Sequence, residues 1–360
     1  MIYLLLFAGL FMGWSLGTND AANAFGTAVS TGVIKYRTAI IIIAVMVIAG
    51  AFLVGEGNIG KVNDLAVTNA VSASEADVAA AEAADTAAGN DTAMKELRLK
   101  SALKAFIVFT CAGLTVFLMS YLGFPVSANQ SITGAIVGWG LFHANYGDPV
   151  IRNDALAKLG EFASTWLLNP LGAGIISFIL VFIVTKFFEE KILKMKNYKK
   201  VIFIGYLCAG AFASFSIGMN SSANVTALYY DFTGKGANLL TNAQLTATIG
   251  GVAIALGVLT YSKRVMMTVG SSIADITELS GFVVIIAMAL TIVIMGTWMG
   301  IPVSTSQAVV GAVVGAGLVK GVKHVHFGVF KNIAIAWVAS PTVAGLMSWL
   351  VALATQGFFK

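Results

Sequence analysis

Of the 360 residues in the chain, 58% are hydrophobic and 11% are charged, whereas an average soluble domain has roughly 25% charged residues. This balance excludes a soluble globular protein, because most of the chain cannot face water. The net charge of +5 indicates membrane orientation rather than nucleic-acid binding, since the Lys and Arg residues fall in the connections between apolar segments.

The chain is predicted to be an all-α polytopic membrane protein, because a spanning helix needs about 20 mostly apolar residues and such segments recur. Two further apolar segments, 124–144 and 301–319, start with a proline and hydroxyl cluster, and we expect them to be short, discontinuous or re-entrant helices. The first segment lacks a basic start, so we expect a mature helix rather than a cleavable signal. The eight spans predicted besides those two are residues 2–31, 38–56, 102–122, 162–185, 201–230, 240–261, 279–300 and 332–356.

The first predicted span carries a carboxylate, Asp20, flanked by Asn19 and Asn23. A carboxylate inside a membrane is unfavourable, so it is a functional hypothesis with a cation or a proton as its partner. We expect Gly17 to let this helix open, so that an unwound turn presents carbonyl oxygens to a hard cation. The alternative is that Asp20 lies near a helix end in contact with water.

Residues 60–100 form an Ala-rich, acidic insertion without a helix-long apolar run. Such a composition predicts a solvated loop or a surface helix outside the membrane. We expect no catalytic role for this insertion.

Two clusters that contain Pro-Val-Ser begin the short segments, at residues 125–133 and 302–307. Pro125 and Pro302 suit the first turn of a helix, where the leading N–H groups lack internal partners and favour an anion. Neutral donors and acceptors accumulate at the same places. The alternative is polar packing between helices, which is common in membranes.

An internal repeat relates the two halves of the chain. Gly-Thr-Asn-Asp-Ala-Ala-Asn-Ala at 17–24 corresponds to Gly-Met-Asn-Ser-Ser-Ala-Asn-Val at 218–225, and Trp166 with Pro170 corresponds to Trp337 with Pro341. The Pro-Val-Ser clusters form the third pair. Counting the short segments gives five crossings per half, and an odd number inverts the second half relative to the first, as in many secondary transporters. We therefore predict two inverted-topology transmembrane repeats, 1–186 and 201–360, joined by a basic cytoplasmic linker at 187–200.

The distribution of basic residues predicts the orientation of the chain. If the N-terminus lies outside, most Lys and Arg residues fall on the cytoplasmic side, including those of 187–200. Basic residues at the end of the long acidic insertion carry little weight in this rule. We therefore predict a multi-pass protein of the plasma (inner) membrane with both termini outside.

No apolar segment has an Arg or Lys at mid-depth. If an oxyanion binds there, helix-terminal N–H groups and co-bound cations must offset its charge, which predicts symport with a cation. The chain also lacks the Gly-x-x-x-x-Gly-Lys-Ser/Thr loop that binds ATP and the His-Glu-x-x-His motif of zinc proteases. The simplest sequence evidence for ATP-driven transport or membrane proteolysis is therefore missing. We predict a secondary transporter and not an enzyme; a passive channel, a membrane enzyme and a structural subunit are the competing classes.

At these motifs the sequence resembles the PiT family of inorganic phosphate transporters, whose hallmark is a Gly-Ala-Asn-Asp-Val-Ala-Asn-Ala type motif in each half. Residues 17–24 match it closely, and the Pro-Val-Ser runs and Ile-Thr-Glu-Leu at 276–279 are also similar. The resemblance implies sodium-coupled symport of inorganic phosphate, with no cofactor other than co-transported sodium. It implies no nucleic-acid partner, and a homo-oligomer remains open.

Carried over position by position, the resemblance implies two sets of ligands near mid-membrane. The implied cation ligands are Asp20, Asn23, Gln130, Asn220 and Gln307. The implied phosphate contacts are Ser127, Thr133, Asn224, Ser304, Thr305 and Ser306.

One departure from the family pattern is Ser221, which stands where the second signature normally carries Asp. Loss of that carboxylate weakens the case for one cation position and bears on ion stoichiometry and on the choice of sodium over protons. Related sulfate permeases lack such carboxylates, so a proton- or sodium-coupled sulfate permease is the alternative. Retention of Asp20 favours phosphate and sodium.

Overall fold

The computed structural model describes residues 2–55, 75–88, 91–144, 149–232, 243–298 and 303–359. Regular structure in these residues is helical, apart from an isolated antiparallel bridge between Ala274 and Val325. The ten main apolar helices are α1 (Ile2–Ser30), α2 (Tyr36–Val54), α3 (Thr92–Leu122), α4 (Ala128–Ala144), α5 (Pro149–Ile183), α6 (Tyr198–Phe232), α7 (Ala243–Tyr261), α8 (Glu278–Thr291), α9 (Thr305–Lys320) and α10 (Phe327–Phe359).

Shorter elements join or extend these helices. A π-helical turn at Val184–Phe188 and a short helix at Glu189–Leu193 continue α5, and a π-helical segment at Ile292–Trp298 continues α8. Between α7 and α8 lie the helix Lys263–Met267 and a second π-helical turn, Thr268–Ser272.

Seven helices in the described part of the chain are long and apolar enough to cross a membrane, which confirms the multi-pass prediction. Leu167 and Leu171 of α5 are 69% and 61% exposed, and contiguous apolar surface of this kind suits lipid rather than water. Helices α4 and α9, predicted to be short, contain 17 and 16 residues. The seven spans are Tyr36–Val54, Thr92–Leu122, Trp166–Leu193, Tyr198–Ser222, Gln244–Tyr261, Glu278–Met295 and Phe327–Gly357.

The insertion contributes a surface helix, Glu75–Ala88, that packs against α3. Asp85 accepts hydrogen bonds from the backbone N–H groups of Ala93 and Met94 at 2.8 and 3.0 Å, and a carboxylate at this place stabilises a helix N-terminus. Helix α3 therefore begins at Thr92, ten residues before the predicted start of this span at residue 102. That boundary of the prediction was wrong, because hydropathy alone does not show a helix continuing beyond the membrane.

Helix α1 lies at the centre of the bundle and packs against α3, α6, α7, α8 and α9. A Cβ at Gly17 would collide with the carbonyl oxygen of Ile254, and one at Gly257 would collide with that of Trp14. The glycine therefore brings two backbones together and does not open the helix. Helix α1 is continuous from Ile2 to Ser30, so the expected unwound turn at Gly17 is wrong.

The two halves pack against each other reciprocally, so that corresponding helices contact corresponding partners in the opposite half. Helix α1 packs on α7 while α6 packs on α2, and α4 packs on α10 while α9 packs on α5. A Cβ at Gly134 of α4 would collide with the Pro341 carbonyl of α10, and a Cβ at Gly311 of α9 would collide with the Pro170 carbonyl of α5. Small residues let such helices approach closely, and this matched packing holds α4 against α10 and α9 against α5.

Candidate functional site

The polar residues of α1 are buried in the middle of the protein. Asn19, Asp20 and Asn23 are 1%, 6% and 1% exposed. Asp20 and Asn23 are three residues apart, so they lie on one face of the helix, and Asn23 Nδ2 donates to Asp20 Oδ1 at 3.2 Å. The carboxylate is therefore held inside the bundle and not at a wet helix end.

Asp20 and Asn23 contact the start of α9. Ser306 Oγ donates to Asp20 Oδ1 at 3.1 Å. Asn23 Nδ2 lies 3.0 Å from Thr305 Oγ1 and 3.1 Å from Ser306 Oγ. A residue from the first signature and the hydroxyls of the second Pro-Val-Ser cluster thus form one hydrogen-bonded group.

Helix α9 begins as a capped N-terminus. Ser304 has an extended backbone, with φ −92° and ψ 118°, and its side chain accepts from the backbone N–H of Gln307. The first N–H groups of a helix lack partners within the helix and carry the positive end of its dipole. The carboxylate of Asp20 therefore lies beside a helix end that favours negative charge.

The start of α4 is held by different side chains of α1 and α10. Asn19 Nδ2 donates to Ser120 Oγ at 2.9 Å and to the Phe124 carbonyl at 3.0 Å, and Asn19 Oδ1 accepts from the Val126 N–H at 3.0 Å. Trp337 Nε1 donates to the Pro125 carbonyl at 3.0 Å. Helix α1 therefore contacts both helix starts, Asn19 on one side and Asp20 with Asn23 on the other.

Pro125 does not occupy the first turn of α4, as the sequence had suggested. Residues 124–127 are non-helical, and α4 begins at Ala128. The predicted role of Pro125 was therefore wrong, and its carbonyl serves instead as the acceptor for Trp337. Pro302 lies outside the described residues.

Four buried amide side chains near these helix starts retain polar atoms without partners in the described part of the chain. Gln130 and Gln307 are each 1% exposed, and neither end of either amide is hydrogen-bonded. Asn23 Oδ1 and Asn169 Oδ1 also lack donors. An unsatisfied buried polar atom costs about 1–3 kcal/mol, so this grouping marks a place where a polar or charged ligand would be stabilised.

Asp20 has no basic partner among the residues that the structure describes, because every ion pair found there involves other carboxylates. An unpaired buried carboxylate is strongly unfavourable. A bound cation or a proton can balance it.

The remaining predicted residues are not all gathered at this cluster. Ser127 and Thr133 are buried in the α4 region, at 5% and 8% exposure. Ser221 is half-buried and Asn220 is exposed on α6, so neither is enclosed as Asp20 is. The side chain of Asn224 lies outside the described residues.

Sequence reasoning treated Asn19 only as a neighbour of Asp20 and did not single out Asn169. Asn169 is fully buried, and its Nδ2 donates to the Ser304 carbonyl at 2.7 Å. The repeat offered a signal for Asn19, which has a counterpart at Asn220, but none for Asn169, which stands next to Pro170 where the second half has a serine.

Comparison with known proteins gives consistent matches over nearly the whole chain. The sequence model of the phosphate transporter family matches residues 16–348. A phosphate permease from Pyrococcus abyssi is 28% identical, with 97% of this chain and 96% of the permease covered. The chloroplastic inorganic phosphate transporter 2-1 of Arabidopsis thaliana is 23% identical, with 97% of this chain and 72% of that protein covered.

One solved structure, described as the sodium-dependent phosphate transporter, superimposes on the chain with a TM-score of 0.69. The two share 22% sequence identity, and 99% of this chain and 98% of the other are covered. This similarity establishes a common fold over the whole length.

Proposed function

The chain belongs to the phosphate transporter family, and from this premise we propose that it carries inorganic phosphate across the membrane in symport with sodium ions. It is a multi-pass membrane transporter and not an enzyme. The proposal of sodium coupling rests on the buried carboxylate of Asp20. This carboxylate is hydrogen-bonded to hydroxyl and amide groups and has no basic partner in the described chain.

The cation ligands in this proposal are those of the predicted set. Sodium is a hard cation that prefers oxygen ligands, as Mg²⁺ and Ca²⁺ do. Asp20 supplies a charged oxygen, and Asn23, whose NH₂ group donates to Asp20, also has an unpartnered buried carbonyl oxygen. Gln130 and Gln307 add further unpartnered amide oxygens, whereas Asn220 is exposed and has the least structural support.

The proposed phosphate contacts, apart from Asn224 of α6, lie near the starts of α4 and α9. Hydroxyl side chains lie at both starts, and the first backbone N–H groups of a helix, which lack partners within the helix, suit an oxyanion. The proposed set is Ser127, Thr133, Asn224, Ser304, Thr305 and Ser306.

Ser306 connects the two kinds of ligand. Its hydroxyl donates to Asp20 Oδ1 at 3.1 Å, and the same residue is a proposed phosphate contact. A phosphate at this helix start would bring a second negative charge close to Asp20, which is unfavourable unless sodium balances both. Binding of either ion therefore favours binding of the other.

The proposed architecture is a pair of inverted-topology repeats, 1–186 and 201–360, with a basic linker at 187–200. Two observations support it. Corresponding helices of the two halves pack reciprocally, and each of the two short helices, α4 and α9, follows a non-helical stretch. In this arrangement the chain lies in the plasma (inner) membrane with both termini outside. Cysteine labelling of single-cysteine variants from either face of intact cells tests this topology.

The test of the function is uptake of radiolabelled phosphate by proteoliposomes containing the purified protein. An inward sodium gradient is expected to drive accumulation, and replacing sodium with choline on both sides should abolish it. An imposed pH gradient without sodium serves as the comparison. Uptake that follows the pH gradient, or that proceeds equally without any gradient, would refute sodium symport.

Ser221 favours a second candidate, a sulfate permease, because it removes the carboxylate that the second signature normally has. Competition between unlabelled sulfate and labelled phosphate separates the two functions. A phosphate transporter retains its uptake in excess sulfate, whereas a sulfate permease loses it and takes up labelled sulfate instead.

A further inference from the structure

Asn169 is a buried polar residue of α5 to which the proposed transport mechanism has so far given no role. It is 0% exposed and directly precedes Pro170, which packs on α9. Its Nδ2 donates to the carbonyl oxygen of Ser304, the residue that caps α9, at 2.7 Å.

This hydrogen bond fixes which way the amide faces. A carbonyl oxygen accepts only from the NH₂ end of an amide, so the Oδ1 end must face away from Ser304. The two ends of a planar amide are about 2.3 Å apart, which keeps Oδ1 within about 5 Å of the Ser304 carbonyl. This oxygen is buried and has no donor among the described residues.

The fixed acceptor differs in kind from the hydroxyl groups at this helix start and, unlike the amide oxygens of Asn23 and Gln307, it is not among the proposed cation ligands. The hydroxyls of Ser304, Thr305 and Ser306 can rotate to donate or to accept, so they do not distinguish a protonated oxyanion from an unprotonated one. Asp20 Oδ1 already accepts from Asn23 and Ser306. Asn169 Oδ1 can only accept.

Resting on the proposed phosphate transport, we propose that Asn169 determines specificity by accepting a hydrogen bond from the P–OH group of phosphate. Near neutral pH phosphate retains at least one proton, whereas sulfate has none. A sulfate oxygen facing Asn169 Oδ1 would place two acceptors together. Sites built to bond a hydroxyl reject analogues that lack it, because the buried partner is left unpaired.

The first test compares oxyanions on the unaltered protein. Monofluorophosphate has the charge and nearly the size of hydrogen phosphate but carries fluorine in place of the hydroxyl. We expect monofluorophosphate and sulfate to inhibit labelled phosphate uptake at least about tenfold more weakly than phosphate itself. Inhibition by monofluorophosphate at the concentration effective for phosphate would overturn the proposal.

The second test uses Asn169→Ala with Ser340→Ala as its matched control, because Ser340 is the buried counterpart in α10. Asn169→Ala is expected to raise the phosphate KM about tenfold or more while the sulfate inhibition constant stays within about twofold. Ser340→Ala should leave the ratio of the two constants unchanged.

Two outcomes of the variant test contradict the proposal. Equal weakening of phosphate and sulfate would mean that Asn169 only positions Ser304. A changed sodium dependence with unchanged phosphate selectivity would make it a cation ligand. If Asn169→Ala does not fold, the fluorophosphate comparison still decides. Absence of sodium-driven phosphate uptake in the unaltered protein would instead refute the proposed function itself.

Discussion

Asp20→Asn removes one negative charge from the centre of the bundle while keeping the shape of the side chain. The oxygen of the new amide can still accept from Asn23 and Ser306, which donate to Asp20 Oδ1 at 3.2 and 3.1 Å. The contact between α1 and α9 is therefore expected to survive. The change isolates the charge of the carboxylate from its role in packing.

The size of the effect follows from the interaction of a carboxylate with a bound cation. Two opposite unit charges 4 Å apart attract by about 4 kcal/mol at the effective dielectric of about 20 that describes such sites. The donors already bonded to Asp20 reduce this value, so we take about 3–4 kcal/mol as the loss. Since about 1.4 kcal/mol is a factor of ten, the sodium concentration for half-maximal uptake should rise roughly 100- to 1,000-fold.

The assay is initial phosphate uptake into proteoliposomes as a function of external sodium. Asp275→Asn is the matched control, because it removes a carboxylate that is 57% exposed and bonded to His324 outside the bundle. Thermal unfolding in detergent should show both variants folded. If Asp20→Asn keeps the sodium dependence of the unaltered protein, the assignment of Asp20 as the cation ligand is wrong.

Three further changes test the surroundings of the site. Ser306→Ala removes the donor to Asp20 and a proposed phosphate contact, so sodium and phosphate affinities measured by uptake should fall together, each by about tenfold; a fall in only one would separate the sites. Gly311→Val forces a side chain against the Pro170 carbonyl and should lower stability by about 1–3 kcal/mol in thermal unfolding, whereas an unchanged melting temperature would contradict the close packing. Asn19→Ala leaves two backbone groups of the turn before α4 unbonded, with an expected loss of about 1–3 kcal/mol that denaturant unfolding can check.

The enclosed position of Asp20 could be predicted from the sequence, for a physical reason. A carboxylate in an apolar span is so unfavourable that its position carries information by itself, and Asp20 is indeed buried at the contact between the halves. The paired Pro-Val-Ser clusters likewise contain the starts of α4 and α9, which begin at Ala128 and Thr305. Both signals are local in the sequence and need no knowledge of packing.

Other features depend on contacts between distant segments and could not be predicted. Gly17 could serve either helix opening or close packing, and only the position of Ile254 on α7 decides for packing. The start of α3 depends on capping by Asp85 from the insertion. The role proposed for Asn169 depends on its hydrogen bond to the Ser304 carbonyl, which is 135 residues away in the sequence.

The hydrogen bond between Ser306 and Asp20 leads to a prediction about coupling between the two ions. A phosphate held at the α9 start would lie about 6 Å from the carboxylate, where two unit negative charges repel by nearly 3 kcal/mol at an effective dielectric of about 20. Sodium bound at Asp20 removes most of this repulsion, so sodium should raise phosphate affinity by roughly 30- to 100-fold. Because linkage is reciprocal, phosphate must raise sodium affinity by the same factor. Calorimetric titration of each ion with and without the other measures both factors, and values near one would mean that the two ions bind independently and that coupling does not arise at this contact.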